Sequence, residues 1–499
     1  MTSNNGGSRL ILRLFIAGAG LFSAACMVGP NYKRPPAPAP PAFKEEPPPE
    51  YKEVNGWKTA QPNDGMLKGK WWEIYNDPVL NALEEQVAIS NQNVQQAEAQ
   101  YRQARSVIRV DRAALFPTVA SNPSISSSRA QTSSAVGGGN GGGAVRTVYT
   151  FPASVSWGPD LWGSIRRNVT AASATAQASA AQLENARLLY QSDLASDYFQ
   201  LRGDDASADL LTRTLVSYRE YLKLTQIRYA GGVASDLDVA QAESQLYATQ
   251  AQLQDLGIQR ATLEHAIAVL IGKPPAELSL EVTPLKGLPP AVPVVVPSLL
   301  LERRPDIAAN ERQMAAANEQ IGIATAAFYP SLTLSGQAGF ESGRFTTWIS
   351  WPSHFFSVGP SVAETIFDAG RRRAVIAQNQ AAFDATIAAY RETVLTAFQQ
   401  VEDNLATLRV LGEESQTADQ SVASAERALR LSDIQYRAGT AIYLTVITAQ
   451  ATALAAERNA VDLLTRRFVA SVSLVQALGG GWDSSQLPSI KDVGVKGSN

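Results

Sequence analysis

Two proline-free stretches with a coiled-coil pattern dominate this sequence. Residues 163–229 hold one internal glycine, Gly203, and residues 369–438 hold two. Apolar residues in the second stretch are spaced by 7, 4, 3, 4 and 3 positions, the seam of a coiled coil: Ile387, Val394, Phe398, Val401, Leu405 and Leu408. The first stretch has a similar seam at Leu183, Tyr190, Leu194 and Leu201. At about 1.5 Å per residue each helix would span on the order of 100 Å, so the pattern predicts helical rods.

Short segments of alternating apolar and polar residues precede each rod. Within residues 331–340, one face of a strand would carry Leu332, Leu334, Ala338 and Phe340. Residues 145–157 alternate in the same way. The pattern predicts two strand pairs, at 117–157 and 330–367. Tilted strands of about ten residues are long enough to cross a bilayer. An ordinary antiparallel sheet with one buried face would show the same alternation and is the alternative.

The chain repeats its own organisation. The segment "LTQIRYAGGVASDLDVAQAES" at 224–244 is matched by "LSDIQYRAGTAIYLTVITAQA" at 431–451, and other markers recur in the same order. This indicates a tandem duplication. Repeat 1 covers 71–275, a proline-rich linker covers 276–304, repeat 2 covers 305–480, and a tail covers 481–499. Each repeat has the order helix, strand pair and long helical hairpin. The first helices are predicted from Pro78, capped by Asp77, to about Leu115, and from Pro305 to near Phe328.

The N-terminus resembles a secretory signal and holds the single cysteine of the chain. Arg9 and Arg13 precede a short apolar segment, and small residues lead up to Cys26. We interpret residues 1–25 as a lipoprotein signal peptide, Cys26 as a site for diacylglycerol, and 26–70 as a lipid-anchored, proline-rich segment. Ser23 stands where the usual lipoprotein signal has leucine, and an ordinary export signal with an incidental thiol is the alternative.

Composition restricts the chemistry further. Lys and Arg number 43 against 46 Asp and Glu, so no basic excess suggests nucleic-acid binding. The two histidines, His265 and His354, are far apart and no cysteine pair exists, so the sequence predicts no metal site and no cofactor besides the lipid on Cys26. Phosphate-loop, nucleophile-elbow and dinucleotide motifs are missing as well. We therefore expect no enzyme.

The predicted fold class is mixed α+β, mainly α: a tandem-duplicated long α-helical barrel with four strands per chain. Four strands cannot close a barrel, and open strand edges are not tolerated in lipid. Two copies would give eight strands, and three would give a 12-stranded transmembrane β-barrel wide enough for a pore. A structural or adhesive surface lipoprotein with a coiled-coil stalk is the alternative. The strand pairs argue against it, because a stalk has no need of them.

Three features together resemble the outer membrane factor family, in its TolC/OprM-like, NodT-type lipoprotein branch. They are the duplicated halves, "VGPNYKRP" at 28–35 and "YRAG" at 436–439. The resemblance covers nearly all of the chain after Cys26. It implies a homotrimer in the Gram-negative outer membrane, lipid-anchored and extending into the periplasm. It also implies a periplasmic adaptor (membrane fusion) protein, an inner-membrane pump of the RND type, and export of drugs, toxic solutes or other small molecules.

The same resemblance implies roles for residues near the two helical turns. The adaptor contacts would be Gly231, Gly232, Val233, Ala438, Gly439 and Thr440. A gate latch would pair Tyr436 with Asp238, without the arginine that some relatives have where Ala441 stands here. The pore constriction would fall on Leu444, Thr445 and Thr448. Because relatives carry aspartates at the last two positions, we expect weaker cation block and weaker pH dependence of gating in this chain.

Overall fold

The computed structural model describes residues 27–37, 39–45, 69–129, 145–292 and 297–494. Its elements, in chain order, are α1 (Pro78–Ser90), α2 (Gln92–Ala113), β1 (Thr118–Ser121), β2 (Ser124–Arg129), β3 (Val145–Trp157), α3 (Ser164–Ala230), α4 (Asp236–Leu270), α5 (Pro297–Arg303), α6 (Pro305–Ala326), β4 (Ser331–Ser342), β5 (His354–Ala363), α7 (Arg371–Arg437), α8 (Tyr443–Ala477) and α9 (Ile490–Gly494). A short 3-10 helix at Trp71–Tyr75 precedes α1.

The two predicted rods are confirmed. Helices α3 and α7 have 67 residues each. Each begins after a glycine in the left-handed region, Gly163 at φ 80° and Gly370 at φ 88°, a backbone conformation that glycine adopts without strain. The predicted seam positions of α7 from Val394 to Leu408 are buried. Packing of this seam, rather than helix propensity, stabilises helices of such length.

The first helix of repeat 1 was predicted as one element and is two. It is interrupted at Asn91, whose side-chain oxygen accepts from the backbone N–H groups of Asn93 at 2.9 Å and Val94 at 3.1 Å. The Asn91 amide donates to the Leu270 carbonyl at 2.8 Å. An asparagine that bonds the following backbone N–H groups starts a new helix, and this explains the break. The predicted cap at Asp77 is present, since its carboxylate accepts from the backbone of Val79 and Leu80.

The strands form one antiparallel sheet with the order β1-β3-β4-β5, and β2 also pairs with β3. Five strand segments therefore replace the four strands that were predicted. β1 and β2 keep a single register against β3, from the pair Thr118–Ser156 to the pair Arg129–Val145. The interruption contains Pro123 and lies opposite a stretch of β3 that contains Pro152. Proline has no N–H to donate to a strand ladder, so the expected first strand is split while its place in the sheet is kept.

Helix α3 packs against α2, α4, α6 and α8, so repeats 1 and 2 share one helical body. Its core includes Trp71, Leu194, Tyr198 and Tyr390. The edges of the sheet, β1 with β2 on one side and β5 on the other, pair with no further strand among the described residues. Closure with other copies of the chain stays a prediction.

Within the described part of the chain, every helix is too short or too polar to cross a membrane.

Candidate functional site

Both long helices end in the same kind of turn. The N–H of Val233 donates to the Arg228 carbonyl at 2.9 Å, and the N–H of Thr440 donates to the Gln435 carbonyl at 2.9 Å. Gly232 at φ 72° and Gly439 at φ 77° occupy the left-handed position inside these turns. The pattern is a Schellman motif, which explains the glycine in each turn. We call α3, its turn and α4 hairpin 1, and α7, its turn and α8 hairpin 2.

The turns are exposed. All six residues predicted to contact an adaptor have exposed side chains or backbone: Gly231, Gly232, Val233, Ala438, Gly439 and Thr440. Only the glycines at 232 and 439 are needed for the backbone, because Gly231 has φ −82°. Val233 closes its turn through its backbone N–H, whereas its apolar side chain is 80% exposed. The two turns therefore offer a surface on which another protein can bind.

The predicted latch residues have other partners. The Asp238 carboxylate accepts from the backbone N–H and the hydroxyl of Ser235, both at 2.9 Å, as part of a capping box. The Tyr436 hydroxyl lies 3.3 Å from the Thr225 hydroxyl. In the part of the chain that the structure describes, no hydrogen bond joins Tyr436 to Asp238, so the pair does not form the predicted latch within this chain.

A different set of bonds joins the two hairpins. The Arg228 guanidinium lies 4.2 Å from the centre of the Tyr436 ring. It donates to the carbonyls of Tyr436 at 2.9 Å and Arg437 at 3.2 Å. Both carbonyls belong to the last turn of α7, where a cation is favoured, and that of Tyr436 also accepts from the N–H of Gly439 at 3.0 Å. Arg228 therefore fixes the end of α7 to α3.

The second bond of this set is between Tyr221 and Asp433. The Tyr221 hydroxyl donates to the Asp433 carboxylate at 2.7 Å, and Arg437 donates to the same carboxylate at 2.8 Å. Burial and this hydrogen bond raise the pKa of Tyr221 to about 12, so the phenol keeps its proton throughout the physiological range. Sequence reasoning missed Tyr221, Asp433 and Arg228, because their partners lie more than 200 positions away. We refer to the two sets of contacts as the hairpin lock.

The three residues predicted to form the constriction lie together. Leu444, Thr445 and Thr448 line an open groove of about 390 Å³ between α7 and α8, with Ala425, Ala428 and Thr452. Leu444 is 50% exposed. The Thr448 hydroxyl donates to the Leu444 carbonyl at 2.8 Å, so its proton is bonded within its own helix. The groove is lined by methyl and hydroxyl groups and by no charged side chain.

Cys26, the predicted lipidation site, lies outside the described residues. The residues that follow it, 27–37 and 39–45, form an extended strap along the helical body. Its first end is fixed where strands meet helices: the N–H of Val28 donates to the Trp162 carbonyl at 3.2 Å. The buried Arg167 donates to the carbonyls of Val28 at 2.7 Å and Gly29 at 3.1 Å, and pairs with Glu319 at 2.7 Å.

The far end of the strap lies on α7. The backbone N–H groups of Lys44 and Glu45 donate to the Glu402 carboxylate at 2.7 and 2.8 Å. The strap therefore runs from the junction of sheet and helices toward the middle of α7.

No group of three or more metal-ligating side chains occurs in the described ranges.

Comparison with known proteins assigns this architecture to a class. The outer membrane efflux protein family matches residues 83–273 and 296–480. The chain is 32% identical to the pyoverdine export outer membrane protein OpmQ of Pseudomonas aeruginosa, over 84% of this chain and 88% of that protein. It is 30% identical to nodulation protein T of Rhizobium leguminosarum bv. trifolii, over 86% and 89%. The solved structure of the outer-membrane channel OprN has a TM-score of 0.80 and 29% identity, over 92% of this chain and 100% of that one.

The chain belongs to the outer membrane efflux protein family. It is the channel subunit of a tripartite efflux system, located in the outer membrane and extending into the periplasm. Channels of this family are trimers that work with periplasmic adaptor proteins and inner-membrane RND pumps. The coiled-coil stalk without a pore is thereby set aside.

Proposed function

We propose that this protein is a passive exit duct for small toxic molecules or secreted small products, with its gate at the tips of the two hairpins. The relatives include proteins named for pyoverdine export and for toluene efflux, which are the classes of cargo that we extend to this chain. No chemical step is assigned to the protein, because the pump supplies the energy.

The observation that supports a gate at the tips is the groove at Leu444. An exposed leucine beside two threonines, just behind an exposed turn, suits a narrow ring whose opening depends on the arrangement of the hairpins. The hairpin lock supports the same view, since Arg228 and the Tyr221–Asp433 bond hold hairpin 2 against hairpin 1. We therefore assign the latch role, predicted for Tyr436 and Asp238, mainly to the hairpin lock. Asp238 keeps the start of α4 in place.

We also propose that the exposed turns 231–233 and 438–440 bind the adaptor, and that Cys26 carries a diacylglycerol. Met27 contacts the junction of sheet and helices, since a Cβ on Gly163 would approach the Met27 Cγ to 2.7 Å. The neighbouring Trp162 stacks on Tyr329 at 4.6 Å between ring centres. Aromatic rings of this kind are typical of the membrane interface, so a lipid on residue 26 would reach the adjacent leaflet.

The experiment for the gate is planar-bilayer conductance with trivalent cations added on the side of the tips. A ring of threonines carries no charge, so the wild-type channel is expected to conduct without block at micromolar concentrations. Thr448→Asp would place three carboxylates in the ring and is expected to introduce block. Thr452→Asp, one turn further from the tip, is the matched control and should give weaker block. Block of the wild type, or no block of Thr448→Asp, would contradict the proposed constriction.

A further inference from the structure

The two turns carry the same tyrosine in different surroundings. A shift of 207 positions superimposes the duplicated segments and pairs Tyr229 with Tyr436. Tyr436 is 4% exposed, whereas Tyr229 is 49% exposed. Tyr436 is covered because α3 lies beside it and provides Thr225 and Arg228. Tyr229 has no such helix beside it in the described part of the chain.

The groove of hairpin 2 shows the complementary asymmetry. Under the same shift, Ala425, Ala428 and Thr452 correspond to Tyr218, Tyr221 and Gln245. In hairpin 1 these larger side chains fill the space, since Tyr218 is buried and accepts from Gln245 at 3.1 Å. Small residues at the same places leave the groove of about 390 Å³ in hairpin 2.

The trimer brings the exposed tyrosine and the open groove together. A ring of three duplicated chains has two kinds of boundary between hairpins, one within a chain and one between chains. We call the side of hairpin 2 that holds the groove, and the corresponding side of hairpin 1, the groove face of each hairpin. Within the chain, hairpin 2 covers the groove face of hairpin 1, where Ala242 packs in one cluster with Tyr436 and Tyr443. Repeating this arrangement around the trimer would place hairpin 1 of the next protomer on the groove face of hairpin 2, where Ala449 corresponds to Ala242.

We propose that Tyr229 of each protomer packs against hairpin 2 of its neighbour, at the edge of the groove formed by Ala428 and at Ser432. Ser432 corresponds to Thr225, whose hydroxyl meets Tyr436 within the chain. Burying the exposed ring of Tyr229 is the main stabilising contribution expected at this boundary.

The boundary between chains lacks the hairpin lock. Where the intrachain boundary has Tyr221 and Asp433, the interchain boundary has Ala428 and Gln226, and Gln435 replaces Arg228. No charge-assisted bond of the hairpin lock can form with those residues. The ring of hairpins therefore alternates three boundaries that carry the hairpin lock with three that do not.

The contact is compatible with a pore-facing Leu444. In hairpin 1 the corresponding residue, Leu237, is 64% exposed even though hairpin 2 covers the groove face of hairpin 1. A leucine at this position can therefore stay exposed beside a covering hairpin. The inference concerns assembly of the trimer and is read by cross-linking, so it stands or falls independently of the proposed constriction.

The test is site-directed cross-linking of the full-length protein in outer membranes. Tyr229→Cys combined with Ser432→Cys is treated with a short bismaleimide, because a disulfide is too short to replace a tyrosine contact. The expected result is a ladder of covalent dimers and trimers that neither single variant gives. The matched control, Thr225→Cys with Tyr436→Cys, has the same two positions exchanged between repeats and should cross-link only within one chain.

A second measurement avoids the cysteine pair. Tyr229→p-benzoylphenylalanine keeps an aromatic ring at the position and leaves the groove unchanged. Irradiation is expected to yield dimers whose cross-linked peptides map to residues 425–435. Cross-links confined to the same chain, or monomers alone while the control pair reacts, would overturn the proposal.

Discussion

Arg167 offers a quantitative test of how the strap is attached. Its side chain is 1% exposed and pairs with Glu319, whose side chain is 10% exposed. The same guanidinium donates to two strap carbonyls. Arg167→Ala would leave the Glu319 carboxylate buried without its partner and would release the first residues of the strap. Removing one member of a buried ion pair costs about 3–5 kcal/mol.

The assay is the thermal dissociation of the purified trimer, together with limited proteolysis mapped over residues 27–45. Arg187→Ala is the control, because the Arg187–Glu184 pair is partly exposed and such pairs contribute about 0–1 kcal/mol. We expect Arg167→Ala to lower the dissociation midpoint far more than the control and to make the strap accessible to protease.

The double variant Arg167→Met with Glu319→Leu separates the two contributions. It removes the unpaired charge, so most of the lost stability should return, because an apolar pair can replace a buried ion pair without loss. The strap should remain accessible, since the bonds to Val28 and Gly29 are still missing. If Arg167→Ala costs no more than Arg187→Ala, or if the strap stays protected, the assignment of Arg167 as its attachment point is wrong.

Three further predictions concern the hairpin lock, the carboxyl group of Glu84, which is buried in α1, and the lipid anchor. Tyr221→Phe removes a hydrogen bond to a carboxylate worth about 1.5–3 kcal/mol in each protomer and should raise the open-to-closed ratio of single channels at least roughly 10-fold, whereas the exposed Tyr247→Phe should leave it unchanged. Burial raises the pKa of the Glu84 carboxyl group well above its ordinary value. Between the ordinary and the raised pKa, the folded protein therefore keeps a proton that the unfolded chain has lost. The stability of the fold falls as the pH rises through this interval. Glu84→Gln should therefore raise the thermal midpoint at pH 8 by the equivalent of about 1–3 kcal/mol, with the gain vanishing near pH 4, and a gain that does not depend on pH would contradict the burial argument. Cys26→Ser should abolish incorporation of labelled palmitate and change the intact mass accordingly, and unlabelled wild-type protein would refute the anchor.

The large elements of this fold could be predicted because their signals are local. Absence of proline and a heptad seam suffice to indicate α3 and α7, and the strand alternation is legible over ten residues. The break at Asn91 could not be foreseen, because one asparagine in a helical pattern starts a new helix only when its amide also finds a partner, here Leu270.

The candidate site was predicted less completely for a related reason. The turns and the position of the groove follow from the duplication, whereas the hairpin lock joins side chains from different repeats. A comparison of the two repeats does carry a signal. At the corresponding positions of the other repeat, Tyr221 is replaced by Ala428 and Asp433 by Gln226. Such an asymmetry marks residues that act at only one of the two kinds of boundary.

The proline gap in the sheet has a consequence for how the strands find their partners. Pro152 faces Gly339 across the β3–β4 ladder, and a side chain on Gly339 would collide with the Phe151 carbonyl. On the other side of β3, the gap at Pro123 interrupts the ladder at one place only. If β3 slipped by two residues against its neighbours, Pro152 would face a residue other than Gly339, and the side chain of that residue would meet the Phe151 carbonyl. Pro152 would also move away from the gap at Pro123. The sheet therefore favours one register through its own residues, independently of how the helical rods pack.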